Sequence, residues 1–149
     1  MDQKIIIYAD GACRGNGQLN NIGAWAYKLI FGDKIKTNAE AVRNTTNNIM
    51  ELNAVINALK ALKPAAYNYP IEVYSDSQYV TMGINNWING WIAKNWHNVK
   101  NIDLWKELLE LKNKFPSITF NWVRGHSNNP GNEEVDKLCN EAMNKLINF

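Results

Sequence analysis

A mixed α/β fold is predicted by three features of this sequence. One apolar, β-branched run closes on Asp10, a second closes on Asp76, and amphipathic stretches of helical period lie between and after them. With 149 residues, 46% hydrophobic and 20% charged, the chain has the size and composition of one folded domain spanning 1–149.

The elements follow in order. "KIIIYAD" is apolar with little polar interruption, so it reads as a central strand buried on both faces. A loop is expected over 11–21. "IGAWAYKLIFGDKIKTNAEAV" gives two more strands joined by the turn "GDK", the pattern of an antiparallel meander. "TTNNIMELNAVINALKALKP" opens on capping residues, repeats Leu52, Val55, Ile56, Leu59 and Leu62 at helical spacing and stops at Pro64. After a Pro/Tyr connection, "IEVYSDS" is a fourth strand. "SQYVTMGINNWINGW" then predicts a helix with Val80, Ile84, Trp87, Ile88 and Trp91 inward, weakened at Gly83 and Gly90. A tryptophan-rich connection, "WIAKNWHNVKN", leads to the helix "IDLWKELLELKNKF", the strand "SITFNWVRG" and a closing helix "NEEVDKLCNEAMNKLI". That last helix turns Val135, Leu138, Cys139, Ala142 and Leu146 inward. The two late strand–helix units are expected to add parallel strands, with helices on both faces of the sheet.

Composition narrows the function classes. A net charge of +2 is too small to argue for nucleic-acid binding by itself, so any cationic surface must be local. The two cysteines, Cys13 and Cys139, have no metal-site spacing and suit free thiols in a reducing compartment. "IIIYA" is shorter than a signal-peptide core and no run approaches ~20 apolar residues, so a cytoplasmic protein without a membrane segment is expected.

Ligands of open α/β sheets bind beside the carboxyl ends of the strands, which places Asp10 and Asp76 as neighbours at a candidate site. Glu51 and Asp136 sit near helix starts beside apolar stripes and can point to the same edge. Four converging carboxylates raise one another's pKa unless a cation sits among them, and only Arg14 is near in sequence. Hard divalent cations such as Mg²⁺ prefer oxygen ligands, and two of them about 3.5–4 Å apart clamp the attacking and leaving oxygens of a phosphodiester. Taken singly, Asp76 serves equally well as a helix cap, and Glu51 or Asp136 as a solvated first-turn acid. Spacing does not choose between these readings.

The combination does. "YADGACRGNG", "TTNNIMEL", "YSDSQYV" with "GI", and "RGHSNNPGNEEVD" together resemble ribonuclease H of type 1, over about residues 4–146. The resemblance implies a five-stranded mixed sheet in the order 3-2-1-4-5, its first three strands antiparallel. It implies hydrolysis of the RNA strand of an RNA/DNA hybrid, leaving 5′-phosphate and 3′-hydroxyl ends. Two Mg²⁺ ions, with Mn²⁺ as a substitute, would be held by Asp10, Glu51, Asp76 and Asp136. His126 would assist proton movement or product departure, a role suited to a group that titrates near neutral pH.

Substrate contacts carry over in the same way. Backbone groups of the 11–16 loop, with Gly11, Cys13, Gly15 and Asn16, together with Asn48, Gln78 and Glu51, fall on positions that contact hybrid, where a reader of the 2′-hydroxyl is needed. The Cys13 thiol has no assigned role. Gly11 and Gly15 are expected to permit close backbone approach and positive φ. Thr46 and Asn47 match the holders of a DNA-strand phosphate and adjacent DNA. Trp91, Trp96, Lys94 and Lys100, with His97, resemble a basic handle, and Trp87 is expected to pack in the core. Two other readings share the fold: a noncatalytic hybrid-binding module, and a DNA-directed nuclease such as a junction resolvase or transposase core. A monomer is expected.

The handle here is short and weakly basic. Phosphate contacts supply much of nucleic-acid affinity, so hybrid binding should be weaker, with a shallower salt dependence, than in relatives with a longer basic handle. A side-by-side salt titration giving equal affinity and slope would contradict this.

Overall fold

The computed structural model describes residues 3–125 and 129–148. β1 (Ile5–Arg14), β2 (Ile22–Phe31) and β3 (Lys34–Arg43) form an antiparallel meander, and β4 (Ile71–Ser75) and β5 (Ile118–Trp122) add to β1 as parallel strands. The sheet order is β3-β2-β1-β4-β5, the order the resemblance implied. In the β1–β4 register the last pair is Ala9 with Ser75, so Asp10 and Asp76 follow side by side.

Each face of the sheet has its own apolar layer. α1 (Asn47–Lys60) covers β1 and β2, burying Leu52, Val55, Ile56 and Leu59 against Ile7 and Val73. Its N-cap is Thr46, whose Oγ1 accepts from the Ile49 N–H at 3.1 Å. α4 (Ile102–Asn113) packs on α1 through Trp105 and Leu108. On the opposite face α5 (Pro130–Ile147) lays Val135, Cys139 and Met143 over Ile22, Ala24 and Ala26. Full burial of such a side chain is worth ~1.5–3 kcal/mol, so the sheet is held from both sides.

Several expectations change in the structure. β1 runs on to Arg14, so Gly11 and Cys13 belong to a strand and the connecting loop is shorter than 11–21. Gly11 is required for packing: a Cβ there would lie 2.3 Å from the backbone N of Glu51 and the carbonyl carbon of Met50. Gly15 does take the positive φ expected of it, at 71°. The helix expected over 77–91 is α2 (Gln78–Met82), a π turn (Gly83–Trp87) and α3 (Ile88–Ala93) in succession. The wider turn keeps Val80, Ile84 and Ile88 inward and swings Trp87 out, leaving it 42% exposed instead of in the core. Gly83, read as a weak point, is where the Trp105 ring meets the helix; a Cβ would come within 2.1 Å of that ring. α5 starts at Pro130, two residues earlier than expected, because Asn129 caps it by accepting from the Asn132 N–H.

Two glycines therefore predict opposite outcomes. Gly11→Ala should cost about 1–3 kcal/mol by forcing α1 off β1. Gly90, with nothing near its Cβ position, should gain up to about 1 kcal/mol as Ala. Urea unfolding of both variants checks this, and equal midpoints would contradict it.

Candidate metal centre

The three elements that meet at the end of β1 each deliver one acid. Asp10 comes from the central strand, Glu51 from the first turns of α1, and Asp76 from the residue after β4. One carboxylate oxygen from each lies within 4.8 Å of the other two. Asp10 and Glu51 are 4% and 6% exposed, while Asp76 is half-buried. The Gly11 N–H donates to Asp10 Oδ1 at 2.9 Å and to Glu51 Oε1, which fixes both carboxylates from one backbone group. Asp136, on α5, lines the same cleft but lies outside that three-acid group.

Burial pushes the Asp10 carboxyl far above the usual carboxylate range, and the charges of Glu51 and Asp76 push it further. Burial also raises Glu51, followed by the charge of Asp76; bonds from Asp10 and Gly11 oppose this in part. Lys4, Lys28, Lys60 and Lys137 pair with other acids, Glu72, Glu134, Glu107 and Glu141. Three hard oxygen donors held this close together fit a divalent cation of the Mg²⁺ or Mn²⁺ kind.

The cleft over the acids has a volume of about 630 Å³ and is also lined by Gly11, Asn47, Asn48, Ser77, Gln78, Tyr79 and Trp122. It thus gathers Asn47, Asn48 and Gln78 beside the carboxylates. Asn16 stands close by, its Oδ1 accepting from the Asn47 N–H at 3.1 Å. The Thr46 hydroxyl is engaged as the α1 cap. Cys13 is half-buried, its thiol facing the Thr45 carbonyl at 3.8 Å, and burial pushes its pKa up. Cys139 lies beneath Asp10, its thiol donating to the Asp10 carbonyl at 3.4 Å; both cysteines are free thiols.

The handle residues do not line this cleft. Trp91 is half-buried and packs edge-on against Trp105 at 5.0 Å, with Trp96 6.3 Å away on its other side. Lys94, His97 and Lys100 are exposed on that segment. His126 lies outside the described residues.

Two contributors were not singled out from the sequence. Asn21 is buried, accepts from the Thr45 N–H at 2.8 Å and donates to the Gln18 carbonyl at 3.0 Å, so it ties the β1–β2 loop to the start of α1. Among many loop asparagines nothing marked it out. Trp122 lines the cleft and bonds to the backbone of Asp76 at 3.1 Å. Its place at a strand end beside "RGH" was the available signal.

Fold and cluster define a class: an α/β domain able to hold a divalent cation at the carboxyl ends of its parallel strand pair. The RNase H family model matches residues 2–144. A ribonuclease H of Clostridium botulinum is 50% identical over 150 residues, covering 97% of this chain and 98% of that one. A ribonuclease H of Cupriavidus pinatubonensis is 46% identical over 149 residues, with the same two shares. Among solved structures, LC9-RNase H1, described as a type 1 RNase H with the type 2 active-site motif, superposes with a TM-score of 0.81 at 27% identity, over 97% of this chain and 74% of that one. LC11-RNase H1, solved in complex with RNA/DNA hybrid, gives 0.73 at 23% identity over 97% and 99%, a likeness of fold. This chain belongs to the RNase H family, in its type 1 branch, and is therefore an enzyme.

The acid cluster predicts an inverted pH dependence of stability. In metal-free protein the raised carboxyls bind protons more tightly folded than unfolded. Their stabilisation is complete below the ordinary values of 3.8 and 4.5 and is lost as pH rises toward and through the raised ones. Unfolding free energy in EDTA should fall from about pH 4 through neutrality, and millimolar Mg²⁺ should remove most of that fall. A flat EDTA profile, or one that Mg²⁺ leaves unchanged, would contradict this.

Proposed function

We infer that this chain, an endonuclease acting on the RNA strand of RNA/DNA hybrids, works with two Mg²⁺ ions held by Asp10, Glu51, Asp76 and Asp136. The observation that carries the reading is the close, mutually repelling group of Asp10, Glu51 and half-buried Asp76 in an open polar cleft. Bound there, divalent cations supply charge stabilisation to the attacking and leaving oxygens of the phosphodiester, with Mn²⁺ as a chemical substitute.

The side chains then divide the remaining work. Asp10 and Glu51, fixed by the Gly11 N–H, give the site a rigid floor, while Asp76 and Asp136 close it from β4 and α5. His126 moves a proton near the attacking water or speeds product departure, leaving a 5′-phosphate and a 3′-hydroxyl. Asn16, Asn48 and Gln78, with backbone groups at Gly11, Cys13 and Gly15, read the RNA 2′-hydroxyl. Thr46 and Asn47 hold a DNA-strand phosphate and adjacent DNA. Trp91, Trp96, Lys94 and Lys100 form a weakly basic rest for the DNA strand beyond the cleft. Free thiols at Cys13 and Cys139 support a cytoplasmic setting, and among the described residues no helix is long and apolar enough to cross a membrane. The protein acts as a monomer of one domain, 1–149.

A labelled RNA/DNA hybrid should be cut only with divalent cation, while matched DNA duplex, RNA duplex and DNA junctions remain intact. Asp10→Asn should lower hybrid cleavage by roughly two orders of magnitude or more while the circular dichroism spectrum persists. Retained cleavage in the variant, or preferential cutting of DNA, would overturn the assignment.

A further inference from the structure

We propose that Trp122 is the positioning residue for Asp76, holding its backbone where the carboxylate meets those of Asp10 and Glu51. The proposal rests on the reading of these acids as the cation site and assigns a role within it to a residue that the site chemistry left unused.

The three acids are not held alike. Asp10 lies within β1 and Glu51 within α1, and one backbone N–H, that of Gly11, bonds both carboxylates. Asp76 is outside that bond and outside regular structure, between the end of β4 and the start of α2. Its location depends on what grips the connection. On the α2 side, Ser77 caps the helix by accepting from the Val80 N–H, and Ser75 Oγ accepts from the Ser77 N–H. On the other side, the end of β5 supplies two bonds: the Val123 N–H to the Ser75 carbonyl at 2.9 Å, and the Trp122 indole N–H to the Asp76 carbonyl at 3.1 Å. The second is the contact made to Asp76's own backbone.

Trp122 is not there to fill the core. It is 45% exposed and lies on the cleft wall, where a large ring contributes little to packing. The backbone just beyond it makes room for the acid: a Cβ at Gly125 would stand 3.2 Å from Asp76 Oδ2. Tryptophan supplies an N–H on the side of its rigid indole, so it can reach a neighbouring connection from a strand end, and phenylalanine cannot donate there. A ligand acid displaced by a fraction of an ångström costs cation affinity and rate, because a small cation demands near-ideal oxygen geometry.

Trp122→Phe keeps an aromatic side chain, smaller than indole, and removes the donor. Mg²⁺ binding is measured by calorimetry on protein without nucleic acid, and kcat and KM on labelled hybrid, with thermal unfolding alongside. Wild type must first bind Mg²⁺ and cut hybrid; if it does not, the functional reading fails and not this inference. Given that, the variant should bind Mg²⁺ roughly two- to tenfold more weakly, as expected for one lost hydrogen bond, with kcat lowered to a similar degree. KM for hybrid should stay within about twofold and Tm within about 2 °C, since the ring is half out of the protein. Trp122→Tyr, which also lacks a donor at the indole position, should show the same split. Unchanged Mg²⁺ affinity would overturn the proposal. So would a rise in KM alone, which would place the ring on the hybrid, or a fall in Tm that accounts for the weaker Mg²⁺ binding, which would make Trp122 a packing residue.

Discussion

Everything at the site depends on the crossing of α1 over β1 at Gly11. There is no room for a Cβ between the two backbones, so the helix sits as low on the sheet as polypeptide can. That closeness puts Glu51 beside Asp10 and lets one N–H serve both carboxylates. The crossing is held by apolar contacts on α1, with Leu52, Val55 and Ile56 fully or almost fully buried. Parallel pairing then sets the third acid, because the β1–β4 register ends one residue before Asp10 and Asp76.

The arrangement is electrostatically unfavourable on its own terms. Burial and mutual repulsion both resist ionisation of Asp10 and Glu51. A folded core on both faces of the sheet absorbs that cost. Such sites trade local stability for a preorganised ligand set, and a bound cation recovers the loss. The polar side chains around the rim, Asn47, Asn48 and Gln78, stand at the ends of helices whose cores anchor them. The polar rim and the acid cluster therefore share one rigid frame.

Much of this was legible in the sequence because the relevant signals are local. The runs ending at Asp10 and Asp76 predicted strands with acids at their ends, and the spacing of Leu52, Val55, Ile56 and Leu59 predicted α1 with its buried face. The four motifs then implied the strand order. What was not legible depends on contacts between distant segments. Gly11 reads in sequence as a loop glycine, and only the position of α1 shows that it is a packing point. Trp87 fits the helical period, but the π turn at Gly83–Trp87, where Trp105 presses on Gly83, turns it outward. Asn21 and Trp122 each reach, through a hydrogen bond, a partner more than twenty residues away, and no spacing rule encodes that.

Asp10, Glu51 and Asp76 are read as one divalent-cation site created by the crossing at Gly11. Anomalous scattering from crystals of this protein soaked in Mn²⁺ tests it most directly. A manganese peak is expected among the three carboxylates, with oxygen distances of about 2.0–2.3 Å. A well-ordered site with no peak there, or a peak bound elsewhere in the cleft without Asp10, would contradict it.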